Sequence, residues 1–449
     1  MSNIAIIGKN SVDYISLLLD IWSHGDCAVL LDWQTPFSTA LRMLKEADVE
    51  KCYVEDGLHI INTDCLPSEI EFFSYKCNSH QTNILPASCY HQYTPNYSEQ
   101  DAVVIYSSGT TGAAKGIVLS YYAINTNADA ILDYMHPTSD DCIYIVKNLT
   151  HSSTITGELL VALKSRAKLI ISPTIVPPRY VLNNIEQQKV SILCLNPTLL
   201  SLYAKEAKRK NYQSSSLKAI YVSGSILSDQ VRALAHDAFP NIAICNAYGL
   251  SEAGPRVSAQ RMDAEGRNSA GLPIRGVEIK IVNESGEVLN SGEYGIVHVN
   301  TPCLFSRYTS GKEKYPSRYQ NWLNTGDIGY LDEHGELNIV NRVDDLIVLN
   351  SHKIYPRDIE TVIINNTNVY ECIVLKWEQD NKTELICVYT QKAPEPNEHF
   401  ISKLKKILLP YEIPNEFIFC NQIPRNTNGK ISKVAISKTV QQFKEKHHG

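Results

Sequence analysis

The chain has 449 residues, 43% hydrophobic and 20% charged, with a formal net charge of −6. That length suits more than one domain, and the acidic balance argues against a dedicated nucleic-acid or anionic-membrane binder. No apolar run reaches membrane-spanning length, the start lacks a signal peptide's basic region and long apolar core, and 12 scattered cysteines with no Cys-x-x-Cys predict reduced, mostly buried thiols in a cytoplasmic protein.

The first 55 residues alternate between two periods. Asn3 to Gly8 reads as a strand, and Tyr14, Leu17, Leu18 and Ile21 then recur at helical spacing before Gly25. Cys27 to Leu31, Pro36 to Ala47 and Lys51 to Val54 read as strand, helix and strand. This βαβαβ pattern predicts a mostly parallel sheet with crossover helices. Residues 56 to 100 are polar and irregular and read as including surface connections. Ser120 is placed to cap a helix through Tyr134. Alternation continues with strands at Lys168 to Ile171, Ile192 to Leu195 and Ala219 to Val222. The helices between and after them span Tyr180 to Gln188, Leu199 to Ala207 and Ser228 to Ala238. From Val277 to Val299 the pattern changes to strands broken by glycine turns, which looks antiparallel. Residues 343–449 form a smaller stretch of mixed strand and helix, with 14 basic and 13 acidic residues.

Five stretches combine polar chemistry with glycine. The most conspicuous is Ser107-Ser108-Gly109-Thr110-Thr111-Gly112-Ala113-Ala114-Lys115, between the apolar runs Ala102 to Ile105 and Ile117 to Leu119. Glycines let backbone N–H groups approach an oxyanion, hydroxyls add donors, and Lys115 adds a compact charge. The simplest chemical reading is a polyphosphate cradle; a Ser/Gly-rich surface turn is the alternative. The spacing is neither that of a Walker A loop nor that of a dinucleotide fingerprint. Asn246-Ala247-Tyr248-Gly249-Leu250-Ser251-Glu252 offers an aromatic face, a hydroxyl and a carboxylate. Asn324-Thr325-Gly326-Asp327 reads as the end of a loop, with an Asp able to accept both hydroxyls of a ribose. Asn341-Arg342-Val343-Asp344-Asp345 falls between the larger and smaller parts. Pro424 to Lys430 puts a lysine on a turn near the C-terminus.

In this order, and spanning Ile4 to Lys433, these stretches resemble the core motifs of the adenylate-forming superfamily: acyl- and aryl-CoA synthetases, adenylation domains of peptide synthetases, and luciferases. The resemblance implies an α/β fold. A large AMP-binding domain over 1–342 would contain parallel-rich αβ layers and a small barrel-like antiparallel part. A small mobile α+β domain over 343–449 would carry the catalytic lysine. It implies that Ser107, Ser108, Gly109, Thr110, Thr111, Gly112 and Lys115 hold phosphates, and that Tyr248, next to Gly249, stacks on adenine. Ser251 would touch phosphate, Glu252 would hold Mg²⁺, and Asp327 and Arg342 would bind ribose. Asp344 would be the hinge and Lys430 the lysine bridging substrate carboxylate and α-phosphate. The implied cofactors are ATP and Mg²⁺, with CoA or carrier-protein phosphopantetheine as thiol acceptor.

Within that resemblance His151 occupies the place where amino-acid-activating members carry an Asp, which implies an acid other than an α-amino acid. Its alternative role is packing and hydrogen bonding. Asn196, Gly224, Ser225, Asn246 and Ala247 complete an expected pocket of small, polar walls, suited to a small or polar carboxylic acid. Ala114, Asn341 and Ser351 depart from the family's usual proline, glycine and glycine. The chain also begins at a strand that in the family follows several dozen further residues. These departures leave two alternatives: a nucleotide binder that no longer catalyses, and an adenylate former with a non-thiol acceptor.

Overall fold

A computed structural model describes residues 1–58, 67–77, 83–107, 114–173, 176–264, 267–311, 318–319, 321–349, 352–379, 382–391, 394–425 and 431–448. Its first sheet has seven strands in the order Arg307–Tyr308, Lys115–Ser120, Asp101–Ser107, Cys27–Asp32, Asn3–Gly8, Lys51–Glu55, Glu71–Tyr75. The central pairs are parallel, as the βαβαβ pattern requires. Their strands read as near-continuous apolar runs because both faces are covered. The helix Val12–Ser23 begins where Ser11 accepts a hydrogen bond from the Tyr14 amide, and turns Tyr14, Ile15, Leu18 and Leu19 inward.

Residues 56 to 100 also hold two elements that the sequence pattern does not mark. Glu71–Tyr75 is a fourth parallel strand, in register with Lys51–Glu55, and Ala87–Gln92 is a short helix. The strand carries no alternating pattern because it lies at the sheet edge, where only part of it is covered.

The second sheet also has seven strands, in the order Leu272–Pro273, Arg256–Ala259, Ala243–Gly249, Ala219–Val222, Ile192–Leu195, Cys142–Ile145, Lys168–Ile171. One large apolar cluster joins the facing sides of both sheets to helices Val12–Ser23 and Tyr121–Met135. A second cluster packs helices Pro178–Gln188, Pro197–Lys210 and Asp229–Ala238 on the far side of the second sheet. A third packs Phe37–Glu46 on the far side of the first. The result is a layered α/β arrangement. An antiparallel sheet of Glu278–Val282, Gly295–Asn300, Trp322–Leu331 and Arg318–Tyr319, with Leu337–Arg342 paired to Trp322–Leu331, follows as expected. None of the 11 described cysteines is in a disulfide.

From Ile347 onward, residues form two further apolar clusters around the sheet Glu371–Gln379, Lys382–Thr390, Glu416–Phe419. In the helix Pro356–Asn366, Glu360 accepts the Val374 amide at 2.8 Å. Burial pushes its carboxyl up from the usual 4.5 to about 7, against the lowering influence of that amide and of Arg357. Between these two values the unfolded chain has lost the proton that the folded chain retains. Stability therefore falls as pH rises through this window, by about 1 kcal/mol per pH unit, and levels off above it. Thermal melting at pH 5 and pH 7 should show this slope in the native chain and a flatter one in Glu360→Gln.

Candidate active site

Two groups of expected residues meet at the C-terminal end of the strand Ala243–Gly249. In the first, the Tyr248 hydroxyl donates to Asp327 Oδ2 at 2.6 Å. Asp327 lies within the strand Trp322–Leu331 rather than at the end of a loop, and pairs directly with Arg342 on Leu337–Arg342. Arg342 Nη1 stands 3.4 Å from Asp327 Oδ1. The loop-like appearance of Asn324 to Gly326 has a local cause. Gly326 takes a left-handed φ of 69°, and its amide donates to Asn324 Oδ1. Thr325 Oγ1 accepts the Asp327 amide and donates to Val297 O, which fixes the carboxylate's base. Asp327 is buried, and burial raises its carboxyl above the ordinary range while the Arg342 guanidinium pulls it back. Burial and the same carboxylate hold the Tyr248 phenol well above its usual value, so the hydroxyl stays a donor. A neutral phenol, a carboxylate and a half-exposed guanidinium thus stand in line.

In the second group, Glu252 sits in the single turn Ser251–Ala253, and its Oε1 accepts from the Tyr308 hydroxyl at 3.0 Å. Tyr308 belongs to the two-residue strand paired with Lys115–Ser120. Lys115 Nζ lies 5.1 Å from the Tyr308 ring centroid. Tyr308 therefore connects the lysine of the glycine–hydroxyl stretch to the carboxylate of the Tyr248 stretch. Sequence reasoning missed it, since Arg307-Tyr308-Thr309 carries no spacing signal. Ser251 Oγ lies 2.7 Å from Ser152 Oγ, which brings in the segment headed by His151. His151 is the N-cap residue of the helix Ser152–Thr154.

The remaining expected residues are placed as follows. Asn196 caps the helix Pro197–Lys210, its Oδ1 accepting the Leu199 amide at 2.8 Å. Gly224 and Ser225 are exposed just beyond the strand Ala219–Val222, and Gly224 faces Asn196. Asn246 donates through Nδ2 to Ser269 O at 3.0 Å, while Ala247 is buried beside it. Asp344 is exposed in the turn Val343–Asp345. Ser108, Gly109, Thr110, Thr111, Gly112, Ser351 and Lys430 lie outside the described residues, as does the side chain of Ser107.

The donor set suits a magnesium–nucleotide complex. Glu252 commits one oxygen to Tyr308, and among the described residues no group of three or more His, Cys, Asp or Glu is placed to hold a metal. Magnesium characteristically takes one or two protein carboxylates and fills its shell with water and phosphate oxygens.

The sequence matches the AMP-binding enzyme family over residues 1–309. The chain belongs to this family, within the adenylate-forming superfamily. Among its relatives, 4-coumarate-CoA ligase 2 of Narcissus pseudonarcissus is 25% identical over an alignment covering 77% of this chain and 63% of that enzyme. The chain thus spans less than two thirds of that relative's length. The 4-coumarate–CoA ligase of Vanilla planifolia is also 25% identical, over 95% of this chain and 82% of that enzyme. The crystal structure of an anthranilate CoA ligase in complex with anthranoyl-AMP shares the fold, with a TM-score of 0.83 at 19% identity, covering 97% of this chain and 87% of that one. Among the described residues no helix of this AMP-binding enzyme is long and apolar enough to cross a membrane.

Proposed function

We propose that this chain is an acid–thiol ligase. It activates a carboxylic acid with ATP to an acyl-adenylate, releasing pyrophosphate, and then passes the acyl group to the thiol of CoA or of a carrier protein's phosphopantetheine, the acyl–oxygen bond breaking as AMP leaves. The observation that carries the reading is the convergence of Tyr248, Asp327 and Arg342 beside Glu252, Tyr308 and Lys115. Tyr248 offers its ring to adenine, and Asp327 with Arg342 takes the ribose hydroxyls. Ser107 to Gly112 with Lys115 and Ser251 hold the phosphates, and Glu252 holds Mg²⁺. When bound, that ion neutralises phosphate charge and orients the pyrophosphate leaving group.

The substrate carboxylate attacks the α-phosphorus while the bond to the pyrophosphate oxygen breaks in line with it. Lys430 supplies positive charge to the carboxylate and the α-phosphate as these charges converge. A domain boundary between Arg342 and Val343, with Asp344 as hinge, lets residues 343–449 withdraw Lys430 before the thiol attacks. Separate apolar clusters on either side of that boundary support the division. His151, Asn196, Gly224, Ser225, Asn246 and Ala247 wall the acid, and His151 disfavours an α-ammonium group. The named relatives, ligases of aryl acids with CoA, support an acid of that general kind and CoA as the first acceptor to test.

A pyrophosphate-release screen over aryl, short and medium-chain acids tests the proposal, run first without a thiol, then with CoA, then with a phosphopantetheinylated carrier protein. Acid-dependent release, followed by thioester with one of the two thiols, is the expected result. ATP binding without release for any acid would overturn it in favour of a binder that does not catalyse.

A further inference from the structure

Three ionisable side chains are buried together in the layer between the two large sheets, behind the Tyr248 strand. Lys147 and Glu158 form an ion pair at 3.0 Å with side chains only 7% and 0% exposed. Glu158 projects from the π-helical turn Ile155–Leu160. The third, Arg256, opens the strand Arg256–Ala259 opposite Gly249 and is likewise buried. Its backbone is clamped by one side chain: Asn127 donates to Arg256 O at 2.9 Å and accepts from Arg256 N at 3.0 Å. The guanidinium reaches across to the helical turn, since a methyl built on Gly157 would lie 3.2 Å from Arg256 Nη2. Arg256 Nη1 is fully enclosed and makes no hydrogen bond. The hydroxyls of Tyr134 and Tyr221 are also enclosed without a partner. Their rings meet edge to face at 5.7 Å, and both lie within electrostatic reach of Arg256.

A buried guanidinium nitrogen without a hydrogen bond is costly unless something completes it. Glu158 answers one positive charge and is shared between Lys147, its ion-pair partner, and Arg256, so the three side chains carry a net excess of one. Burial moreover pushes the Glu158 carboxyl up, which lowers its capacity to neutralise both cations. The segment continues from His151 and Ser152, which reach the Ser251 turn, so this charge lies along the same helix as the proposed acid pocket.

We infer that Arg256, with Lys147 and Glu158 behind it, is the specificity site for the far end of the acid, and that the substrate is a carboxylic acid bearing a second carboxylate. The inference rests on the proposed adenylation function and deepens it. A guanidinium binds a carboxylate through two parallel N–H···O bonds, and the enclosed Nη1 supplies one that the protein leaves unmade. The hydroxyls of Tyr134 and Tyr221 are further donors for the same group. An acid ending in a methyl or an unsubstituted ring would leave the guanidinium unsatisfied and is disfavoured.

The test is ATP–pyrophosphate exchange by the full chain with butyrate and benzoate against succinate, glutarate and isophthalate. At least one diacid should exceed its monoacid partner in kcat/KM by about 100-fold. In Arg256→Met the diacid-to-monoacid ratio should fall by about 100-fold. Arg256→Lys keeps the buried charge, and so the fold, but loses two-point geometry; its ratio should fall by about 10-fold. Equal or better exchange with the monoacids in the native chain, or an unchanged ratio in Arg256→Lys, overturns the inference and leaves adenylation standing. Exchange with no acid of either kind overturns the adenylation function, and this inference with it.

Discussion

Replacing Lys430 by alanine is expected to lower acid-dependent ATP–pyrophosphate exchange by on the order of 10³-fold while leaving thiol attack on preformed acyl-adenylate nearly intact. Two anions must meet at the α-phosphorus, and a charge aimed there stabilises the transition state more than the bound reactants. The described residues on either side of Lys430 bear on where it acts. Arg425 and Ile431 form an antiparallel bridge. Arg425 in turn donates to Thr198 Oγ1 at 3.2 Å, two residues beyond Asn196, and pairs with Glu371. Arg425, five residues before Lys430, is thus held beside the proposed acid pocket. Single-turnover measurement of each half-reaction checks the prediction. Exchange at the native rate, or equal loss of both steps, would sink the assignment of Lys430.

The second large effect belongs to Gly249. A Cβ at this position would lie 1.9 Å from Pro255 O and 3.1 Å from Arg256 Cα. Both are backbone atoms, so no side chain can turn away to make room. Gly249→Ala must force the strands Ala243–Gly249 and Arg256–Ala259 apart at a point where their register already shifts, between Tyr248 and Gly249. Overpacking of this kind costs on the order of 3 kcal/mol. The displacement falls on Tyr248, whose 2.6 Å bond to Asp327 leaves little slack, and on Arg256. The variant should lose stability in urea titration and also lose affinity for ATP, read by equilibrium titration at a temperature where it remains folded. Native-like values of both would show that the strands separate without cost.

Much of the fold is legible in the sequence because the two sheets are buried on both faces. Runs such as Ile192 to Leu195 and Ala219 to Val222 stand out against the polar helical faces around them. Glu71–Tyr75 escapes that reading because edge strands need no continuous apolar run. Thr325 to Asp327 reads as a loop because glycine and a hydroxyl usually mark turns, whereas here they bend a long strand from within. Within the site, Tyr248, Glu252, Asp327 and Arg342 are recognisable from their motifs, and the structure brings them within reach of one another. Tyr308 is not, because its contribution depends on a two-residue pairing between segments nearly 200 residues apart in the chain. Nor are Lys147, Glu158 and Arg256. Charged residues read by default as solvated, and only three-dimensional packing reveals that these are enclosed.

Arg342 ends a strand held to Trp322–Leu331 by five residue pairs, and the turn Val343–Asp345 begins at the next residue. Rotation about Asp344 would therefore reorient everything after it without loosening Arg342 from Asp327. With Asp344 as the proposed hinge, the nucleotide grip and the part that follows the turn would be separable modules, joined by one covalent connection and by breakable contacts such as that of Arg425 with Thr198. Divergence can alter the acceptor chemistry on one side of that joint without rebuilding the nucleotide grip on the other.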